Sequence, residues 1–291
     1  MAIVCLHHTD GDGWGSAAII GYEYGFSNVK FIPMNYNKMI PFDEIKHGDK
    51  IFIVDFSPNT TSDFAALVEL DNDLVWIDHH ISAIEKYSDF KHLNGIRRDG
   101  TAACELCWEY LFSDMCYIPD AIKYLGDYDV FKFAYGDLTS TFQAGLRVFD
   151  TKPSNREFWE QLLWEEGSGS KDSLTSKIIE AGKVITKYNT NVWAGSVKGY
   201  GYITEFEGYT FASCNIQGPS LIFDSVKDNP LIDGFIVYTH DGKSFKVTLY
   251  ENGKDIDMSK IAIKYGGGGH KGAAGFHIDK LPFEYKEKLF V

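Results

Sequence analysis

Positive charge is scarce in this sequence. Its 291 residues include 28 Lys and Arg against 41 Asp and Glu, which gives a formal net charge of −13. This balance argues against a broad basic face of the kind that coats long duplex DNA. It is compatible with a small polyanionic ligand held by metal ions and a few donors, because clustered acidic groups are what hard cations bind.

Long hydrophobic runs are also missing, and cysteine is sparse. No apolar stretch approaches the length that spans a membrane. The apolar start, Met1–Leu6, leads directly into His7 and His8, which indicates a first strand and not a signal peptide. Five scattered cysteines argue against a disulfide framework, and we expect Cys104 and Cys107 to be core residues of one helix. We therefore expect a cytoplasmic protein without a membrane partner.

Alternating strand-like and helix-like segments predict an α/β fold. The predicted strands are Ala2–Leu6, Val29–Pro33, Ile51–Val54 and Leu74–Ile77. Helical patterns lie between and after them, at Ser16–Tyr24, Ser62–Leu70, Thr101–Leu111 and Ile118–Leu125. Continuous apolar runs are typical of strands buried on both faces, so we expect a mostly parallel sheet flanked by helices.

The composition changes after the middle of the chain. A charged amphipathic stretch over residues 155–188 is broken at Gly167–Ser170, which we interpret as a turn between two helices. From Trp193 onward, Gly-rich and Tyr-rich alternating segments predict a smaller α/β domain with its own sheet. The predicted organisation is a catalytic domain at 1–170, a helical connector at 171–190 and a second domain at 191–291.

Acidic and imidazole residues follow three of the predicted strands. They are His7, His8, Asp10 and Asp12 after the first strand, Asp55 after the third, and Asp78, His79 and His80 after the fourth. Because the carboxyl ends of parallel strands share one edge, we expect these side chains to converge. Crowded carboxylates repel unless cations neutralise them, and imidazole with carboxylate suits Mn²⁺ or Zn²⁺ better than Ca²⁺. The number of ligands predicts two ions, which can share a water molecule and lower its pKa.

Four successive glycines near the C-terminus precede a histidine and a lysine. Amides without side chains can form an anion-binding nest, and His and Lys add charge-assisted donors. We predict phosphate binding by Gly267, Gly268, Gly269, His270 and Lys271.

Together these residues resemble the DHH phosphoesterase family with its DHH-associated C-terminal domain. The four N-terminal motifs are similar to His8–Gly13, Val54–Asp55, Ile77–His80 and Gly126–Asp129, and the glycine loop with His270 resembles the signature of the associated domain. The resemblance spans nearly the whole chain. The compact His-x-Asp-x-Asp-Gly motif is most similar to that of the bacterial short-oligoribonucleotide exonucleases.

The resemblance implies a two-manganese centre in the cleft between the two domains, with Mg²⁺ as a substitute ion and a metal-activated water as nucleophile. The implied metal ligands are His8, Asp10, Asp12, Asp55, His79 and Asp127, with Asp55 shared by both ions. His80 would face the substrate phosphate, and Asp78 would orient a histidine. His7 and His8 are alternative candidates for one ligand position, and Asp127 and Asp129 are alternative candidates for another. Spacing favours His8, and we prefer Asp127.

One position departs from the family pattern, because Tyr250 stands where an arginine is expected. A base could stack on Tyr250, and Arg98 is a candidate for the missing phosphate contact. We expect an exonuclease acting on single-stranded oligonucleotides of a few residues, and a homodimer is compatible with the sequence. The alternatives are a cyclic dinucleotide phosphodiesterase or adenosine bisphosphate phosphatase, a polyphosphatase or pyrophosphatase, and a nucleotide-binding sensor without turnover.

Overall fold

The computed structural model describes residues 2–36, 38–71, 73–115, 117–164 and 172–289. The turn expected at Gly167–Ser170 lies outside these residues. The chain divides into two compact units, Met1–Ile185 and Thr186–Val291.

The first unit contains a parallel sheet and the helices that pack on it. Its strands are β1 (Ile3–His8), β2 (Val29–Met34), β3 (Lys50–Val54) and β4 (Val75–Ile77). Its helices are α1 (Gly11–Tyr24), α2 (Thr61–Leu70), α3 (Ile81–Lys86), α4 (Ala103–Leu111), α5 (Asp120–Asp129), α6 (Asp137–Leu146) and α7 (Arg156–Trp164), and α8 (Leu174–Tyr200) runs on into the second unit. The prediction of a mostly parallel sheet flanked by helices is confirmed.

The strand order of this sheet is β2-β1-β3-β4, and every neighbouring pair is parallel. The chain leaves β1 toward β2 on one side and later enters β3 on the other side. In open α/β sheets, ligands bind at such a reversal, beyond the carboxyl ends of the two strands. The topology therefore directs the residues that follow β1 and β3 to one crevice.

Side chains that alternate along the strands fill two hydrophobic layers. Cys5 and Phe52 belong to the layer that includes residues of α1, α4 and α5. Ile53 and Trp76 belong to the opposite layer, where Phe64 of α2 is also buried. Because both faces are covered, the strands carry the continuous apolar runs from which they were predicted.

The second unit has a sheet of its own. Its elements are β5 (Tyr202–Phe206), β6 (Tyr209–Cys214), β7 (Gly234–His240), β8 (Phe245–Glu251), α9 (Met258–Lys264), β9 (Gly268–Gly269), β10 (Ala273–Ile278) and β11 (Glu287–Lys288). The strand order is β11-β5-β6-β7-β8-β10-β9, with β6 and β7 parallel and the other pairs antiparallel. This confirms a smaller α/β domain. Among the described helices, none has the length and apolar character that crossing a bilayer requires.

The glycine run forms part of a β-hairpin instead of the predicted open nest. Its strand Gly268–Gly269 pairs with β10, and His270 and Ala273 exchange backbone hydrogen bonds at the turn. The amides of Gly266 and Gly267 donate to carbonyl groups at the end of α9. Backbone donors expected to face an anion at Gly267 and His270 are therefore used by the fold.

Candidate metal centre

The turn between β1 and α1 holds two of the predicted ligands together. Asp10 is the N-cap of α1, and its Oδ1 accepts a hydrogen bond from the Gly13 amide at 2.9 Å. Its Oδ2 lies 2.7 Å from Nδ1 of His8. Glycine is required at position 13, because a Cβ there would stand 2.4 Å from the His8 carbonyl oxygen.

His7 and His8 lie on opposite faces of β1, since successive side chains in a strand alternate. His7 is 2% exposed and packs edge-on against Phe31. Burial lowers the pKa of His7 to about 4. The Nδ1 atom of His8, by contrast, lies 3.7 Å from Oδ2 of Asp55. The structure therefore places His8, and not His7, among the carboxylates.

Asp55 follows β3 in a strained and buried position. Its φ of 52° is a left-handed conformation that non-glycine residues seldom adopt and that is common at functional sites. The side chain is 1% exposed, and Oδ2 has no hydrogen-bond partner among the described residues. Burial, with added repulsion from Asp12 and Asp10, raises the pKa of Asp55 well above its usual range. Such a carboxylate is unfavourable unless a cation compensates it.

Asp12 is fixed by the N-terminus of α4. Its two oxygens accept hydrogen bonds from the backbone amides of Ala103 at 2.8 Å and Cys104 at 2.7 Å. Because α4 has no side-chain cap of its own, Asp12 satisfies its first amides and complements its dipole. Its Oδ2 also lies 3.6 Å from Nε2 of His79.

His79 faces three carboxylates without bonding to them. Its Nε2 lies 3.3 Å from Asp55 Oδ1 and 3.3 Å from Asp129 Oδ2. This nitrogen is buried and makes no hydrogen bond within the described part of the chain. Burial lowers the pKa of His79. Burial and the charges of Asp12 and Asp10 raise the pKa of Asp129 to about 8. A neutral imidazole surrounded by carboxylate oxygens is a suitable set of metal donors.

Asp127 is directed to a different place, so the preference for Asp127 over Asp129 is corrected. Its carboxylate accepts hydrogen bonds from the Ala134 amide at 2.8 Å, from the Tyr135 amide at 3.4 Å and from the Thr139 hydroxyl. These contacts tie α5 to the start of α6. Asp129, two residues further on, instead places Oδ2 3.3 Å from Nε2 of His79.

Asp78 holds His80 in place. Its Oδ1 lies 2.7 Å from Nδ1 of His80 and also accepts the His79 amide at 2.8 Å. Burial lowers the pKa of His80, but the hydrogen bond and charge of Asp78 outweigh it, so the pKa is raised. Tyr36, which the sequence reading missed, has its hydroxyl 3.4 Å from Nε2 of His80 and its ring 5.5 Å from that of His8. Tyr36 follows β2, so the strand-end rule could have found it.

The predicted phosphate-binding side chains have local partners. Arg98 pairs with Glu109 at an exposed position, with Nη1 of Arg98 3.2 Å from Oε1 of Glu109. In the second unit, His270 is exposed at the tip of the hairpin and Lys271 pairs with Asp255. The role of these residues in binding substrate stays a prediction.

The residues that the structure brings together are named the ligand cluster and are His8, Asp10, Asp12, Asp55, His79 and Asp129. Ligand atoms lie within 4.8 Å of one another in the set His8, Asp10 and Asp55, and likewise in the set Asp12, His79 and Asp129. Asp55 is near both sets through its two oxygens. Mixed imidazole and carboxylate donors fit Mn²⁺ or a similar ion. The unpartnered Asp55 Oδ2 and His79 Nε2 are the atoms that such ions would satisfy.

Residues 2–126 match the family model described as DHH family, N-terminal domain. The matched segment contains every member of the ligand cluster except Asp129. The chain is also 25% identical over 312 residues to uncharacterized protein R106 of Acanthamoeba polyphaga mimivirus. The alignment covers 97% of this chain and 69% of that protein.

Two solved structures have a similar fold. The pGpG-specific phosphodiesterase PggH from Vibrio cholerae is 14% identical with a TM-score of 0.54, covering 95% of this chain and 93% of that one. An exopolyphosphatase-related protein from Bacteroides fragilis is 20% identical with a TM-score of 0.52, covering 96% of this chain and 87% of that one. At these low sequence identities, the comparison shows only that the folds are similar.

Proposed function

We propose that the chain, whose residues 2–126 match the family model described as DHH family, N-terminal domain, is a phosphoesterase that hydrolyses phosphodiester bonds of short oligonucleotides with two bound Mn²⁺ ions. The observation that carries the proposal is Asp55. Its buried, unpartnered carboxylate stands between two sets of imidazole and carboxylate donors. A bound cation compensates the charge of this carboxylate without the proton uptake that burial otherwise favours.

We assign one ion to His8, Asp10 and Asp55. The other ion is assigned to the remaining members of the ligand cluster, again with Asp55. Oδ2 of Asp55 is 3.7 Å from His8 and its Oδ1 is 3.3 Å from His79, which supports a shared ligand. When bound, divalent ions neutralise the phosphoryl charge and lower the pKa of a coordinated water.

His80 is assigned a contact with the substrate phosphate. Asp78 fixes the ring through Nδ1, which leaves Nε2 on the side of the Tyr36 hydroxyl. The raised pKa of His80 suits donation of a proton or a charge-assisted hydrogen bond to a phosphate oxygen. Asp78 is then a positioning residue, since it acts through His80.

Short nucleic acids are the proposed substrates. The net charge of −13 disfavours an extended duplex. Among proteins of similar fold, one is named as a pGpG-specific phosphodiesterase, which supports a small nucleotide. A site in the cleft between the two domains, a cytoplasmic location and a homodimer remain predictions from the sequence.

A substrate panel tests this function. Purified protein is incubated with Mn²⁺, Mg²⁺ or a chelator and with short RNA, short DNA, a cyclic dinucleotide, adenosine bisphosphate or polyphosphate. We expect mononucleotides from short RNA or DNA with Mn²⁺, slower release with Mg²⁺ and none with chelator. Preferred cleavage of one of the other substrates would select that alternative instead.

The matched variants Asp129→Asn and Asp127→Asn sharpen the test, because both remove one carboxylate from α5. We expect Asp129→Asn to abolish turnover and Asp127→Asn to retain it. Absence of hydrolysis on every substrate with Mn²⁺, or full turnover in Asp129→Asn, would overturn the proposal.

A further inference from the structure

Tyr36 lies beside the ligand cluster, on the side of His80. It follows β2, two residues beyond Met34, whose register partner in β1 is His8. The centre of its ring is 5.5 Å from that of His8 and 6.0 Å from that of Phe56, which is buried. These contacts orient the ring at the carboxyl edge of the sheet, while the residue remains 42% exposed. Tyr36 is therefore both held in place and accessible to a ligand.

The hydroxyl of Tyr36 lies 3.4 Å from Nε2 of His80. This distance is long for a hydrogen bond between a hydroxyl and a nitrogen atom. The other ring nitrogen of His80 is occupied by Asp78, whose carboxylate lies 2.7 Å from Nδ1. A single oxygen atom of a ligand can lie about 2.8 Å from both the Tyr36 hydroxyl and Nε2 of His80. The two groups therefore face a position that suits one oxygen atom of a phosphate.

An anionic substrate needs hydrogen-bond donors here, because the carboxylates of the ligand cluster can only accept. Burial and the charges of nearby aspartates raise the pKa of Tyr36, so the phenol stays protonated and can donate. Two cationic side chains have other partners. Arg98 pairs with Glu109, and Nζ of Lys38 donates to the Pro33 carbonyl at 2.8 Å. The Tyr36 hydroxyl is a donor that the fold leaves beside the site.

We propose that the Tyr36 hydroxyl donates a hydrogen bond to a non-bridging oxygen of the substrate phosphate, next to the contact assigned to His80. The inference rests on the proposed function for the presence of a phosphodiester. Negative charge is redistributed over the phosphoryl oxygens during hydrolysis, and a donor that is fixed before the reaction stabilises it. Tyr36 keeps its proton throughout. It is thus assigned a catalytic contact and no part in metal binding.

Tyr36→Phe tests this contact, because it removes the hydroxyl and retains the ring. Loss of a hydrogen bond to a charged group should lower kcat/KM by roughly 10- to 100-fold. Tyr24→Phe is the matched control, since Tyr24 ends α1 about 20 Å along the helix from Gly11, and it should leave kcat/KM unchanged. The Tm increase caused by Mn²⁺ should be normal in both variants. Unchanged kcat/KM in Tyr36→Phe would overturn the proposal.

Phosphorothioate substrates distinguish a contact with phosphate from a purely structural role of Tyr36. Each diastereomer carries sulfur, a weak hydrogen-bond acceptor, at a different non-bridging position. When the sulfur faces Tyr36, the wild-type protein has already lost this bond, so Tyr36→Phe should lower kcat/KM by no more than about threefold. The other diastereomer should show the full loss. Effects of sulfur on the ions occur in both proteins and cancel in the comparison. Equal losses with both diastereomers would overturn the proposal.

A binding measurement separates this inference from the proposed function. The affinity of inorganic phosphate is measured by calorimetry on the full chain with Mn²⁺ present, which requires no turnover. Tyr36→Phe should weaken phosphate binding by about tenfold, and Tyr24→Phe should not. Weaker binding in Tyr36→Phe of a protein that cleaves none of the tested substrates would support the contact and refute the function. Hydrolysis by the wild type, with normal kcat/KM and phosphate affinity in Tyr36→Phe, would support the function and refute the contact.

Discussion

Replacing Asp55 with asparagine is expected to stabilise the metal-free protein and to remove its response to Mn²⁺. Asparagine has the shape of aspartate and tolerates the φ of 52° found at this position. The substitution therefore removes a buried charge with little change in packing. It should raise the stability of the metal-free protein and remove the additional stability that Mn²⁺ gives.

The expected gain in stability follows from the repulsion between the Asp55 carboxylate and the neighbouring carboxylates. Oxygens of Asp10 and Asp55 lie within 4.8 Å of each other, and at an effective dielectric constant of about 20 two unit charges at that distance repel by about 3.5 kcal/mol. Proton uptake relieves part of this, since the pKa of Asp55 is raised. We expect a net gain of roughly 1–2 kcal/mol, or roughly 2–8 °C in Tm.

Thermal unfolding with and without Mn²⁺ measures both effects. An ion at about 100 times its Kd should stabilise the wild-type protein by about 2.7 kcal/mol, and Asp55→Asn should lose most of this increment. Asp127→Asn is the matched control. It should lose roughly 1–3 kcal/mol because three donors depend on that carboxylate, yet keep the response to Mn²⁺. A metal-free Asp55→Asn protein less stable than wild type, with a normal Mn²⁺ response, would show that Asp55 neither carries an unfavourable charge nor binds the ion.

Further outcomes follow from the same geometry. The pKa of Asp129 is raised from 3.8 to about 8, so the folded metal-free protein binds more protons than the unfolded chain between these values, and stability falls as pH rises through that window. Urea unfolding at several pH values should show a weaker decline in Asp129→Asn, and equal declines would contradict the raised pKa. Asp78→Asn should lower kcat by roughly ten- to hundredfold, because His80 loses its orienting partner. The Tm increase caused by Mn²⁺ should persist in that variant, and its loss would mean that Asp78 supports metal binding instead.

The parallel sheet and the convergence at its edge could be predicted because each depends on a rule of chain geometry. Strands buried on both faces have continuous apolar sequences, and their carboxyl ends meet at one edge. These rules locate His8, Asp55 and His79 without knowledge of any contact. The alternation of side chains along β1 then separates His8 from His7.

The choice between Asp127 and Asp129 needed a further step, the assignment of helix faces. Leu125 of α5 reaches Gly11 and Gly15 of α1, and Asp129 lies one turn further along the same face. Asp127 lies beyond Tyr124, whose ring contacts Phe142 of α6. The helical period of α5 places Asp127 and Asp129 on different faces. The elements that each face contacts must also be known before one of the two residues can be chosen.

Other features depend on packing that local sequence does not encode. A glycine run can form an anion nest or a strand, and the pairing of Gly268–Gly269 with β10 decides between them. Tyr250, which was considered as a surface on which a base could stack, is half-buried and donates a hydrogen bond from its hydroxyl to the Gly218 carbonyl at 3.0 Å.

Anomalous scattering from crystals grown with Mn²⁺ would locate the bound ions. We predict two anomalous peaks within the ligand cluster, one contacting His8 and Asp10, the other contacting His79 and Asp129, with Asp55 bound to both. Peaks located elsewhere, or a ligand cluster that stays without anomalous signal at saturating Mn²⁺, would contradict the assignment of these residues as metal ligands.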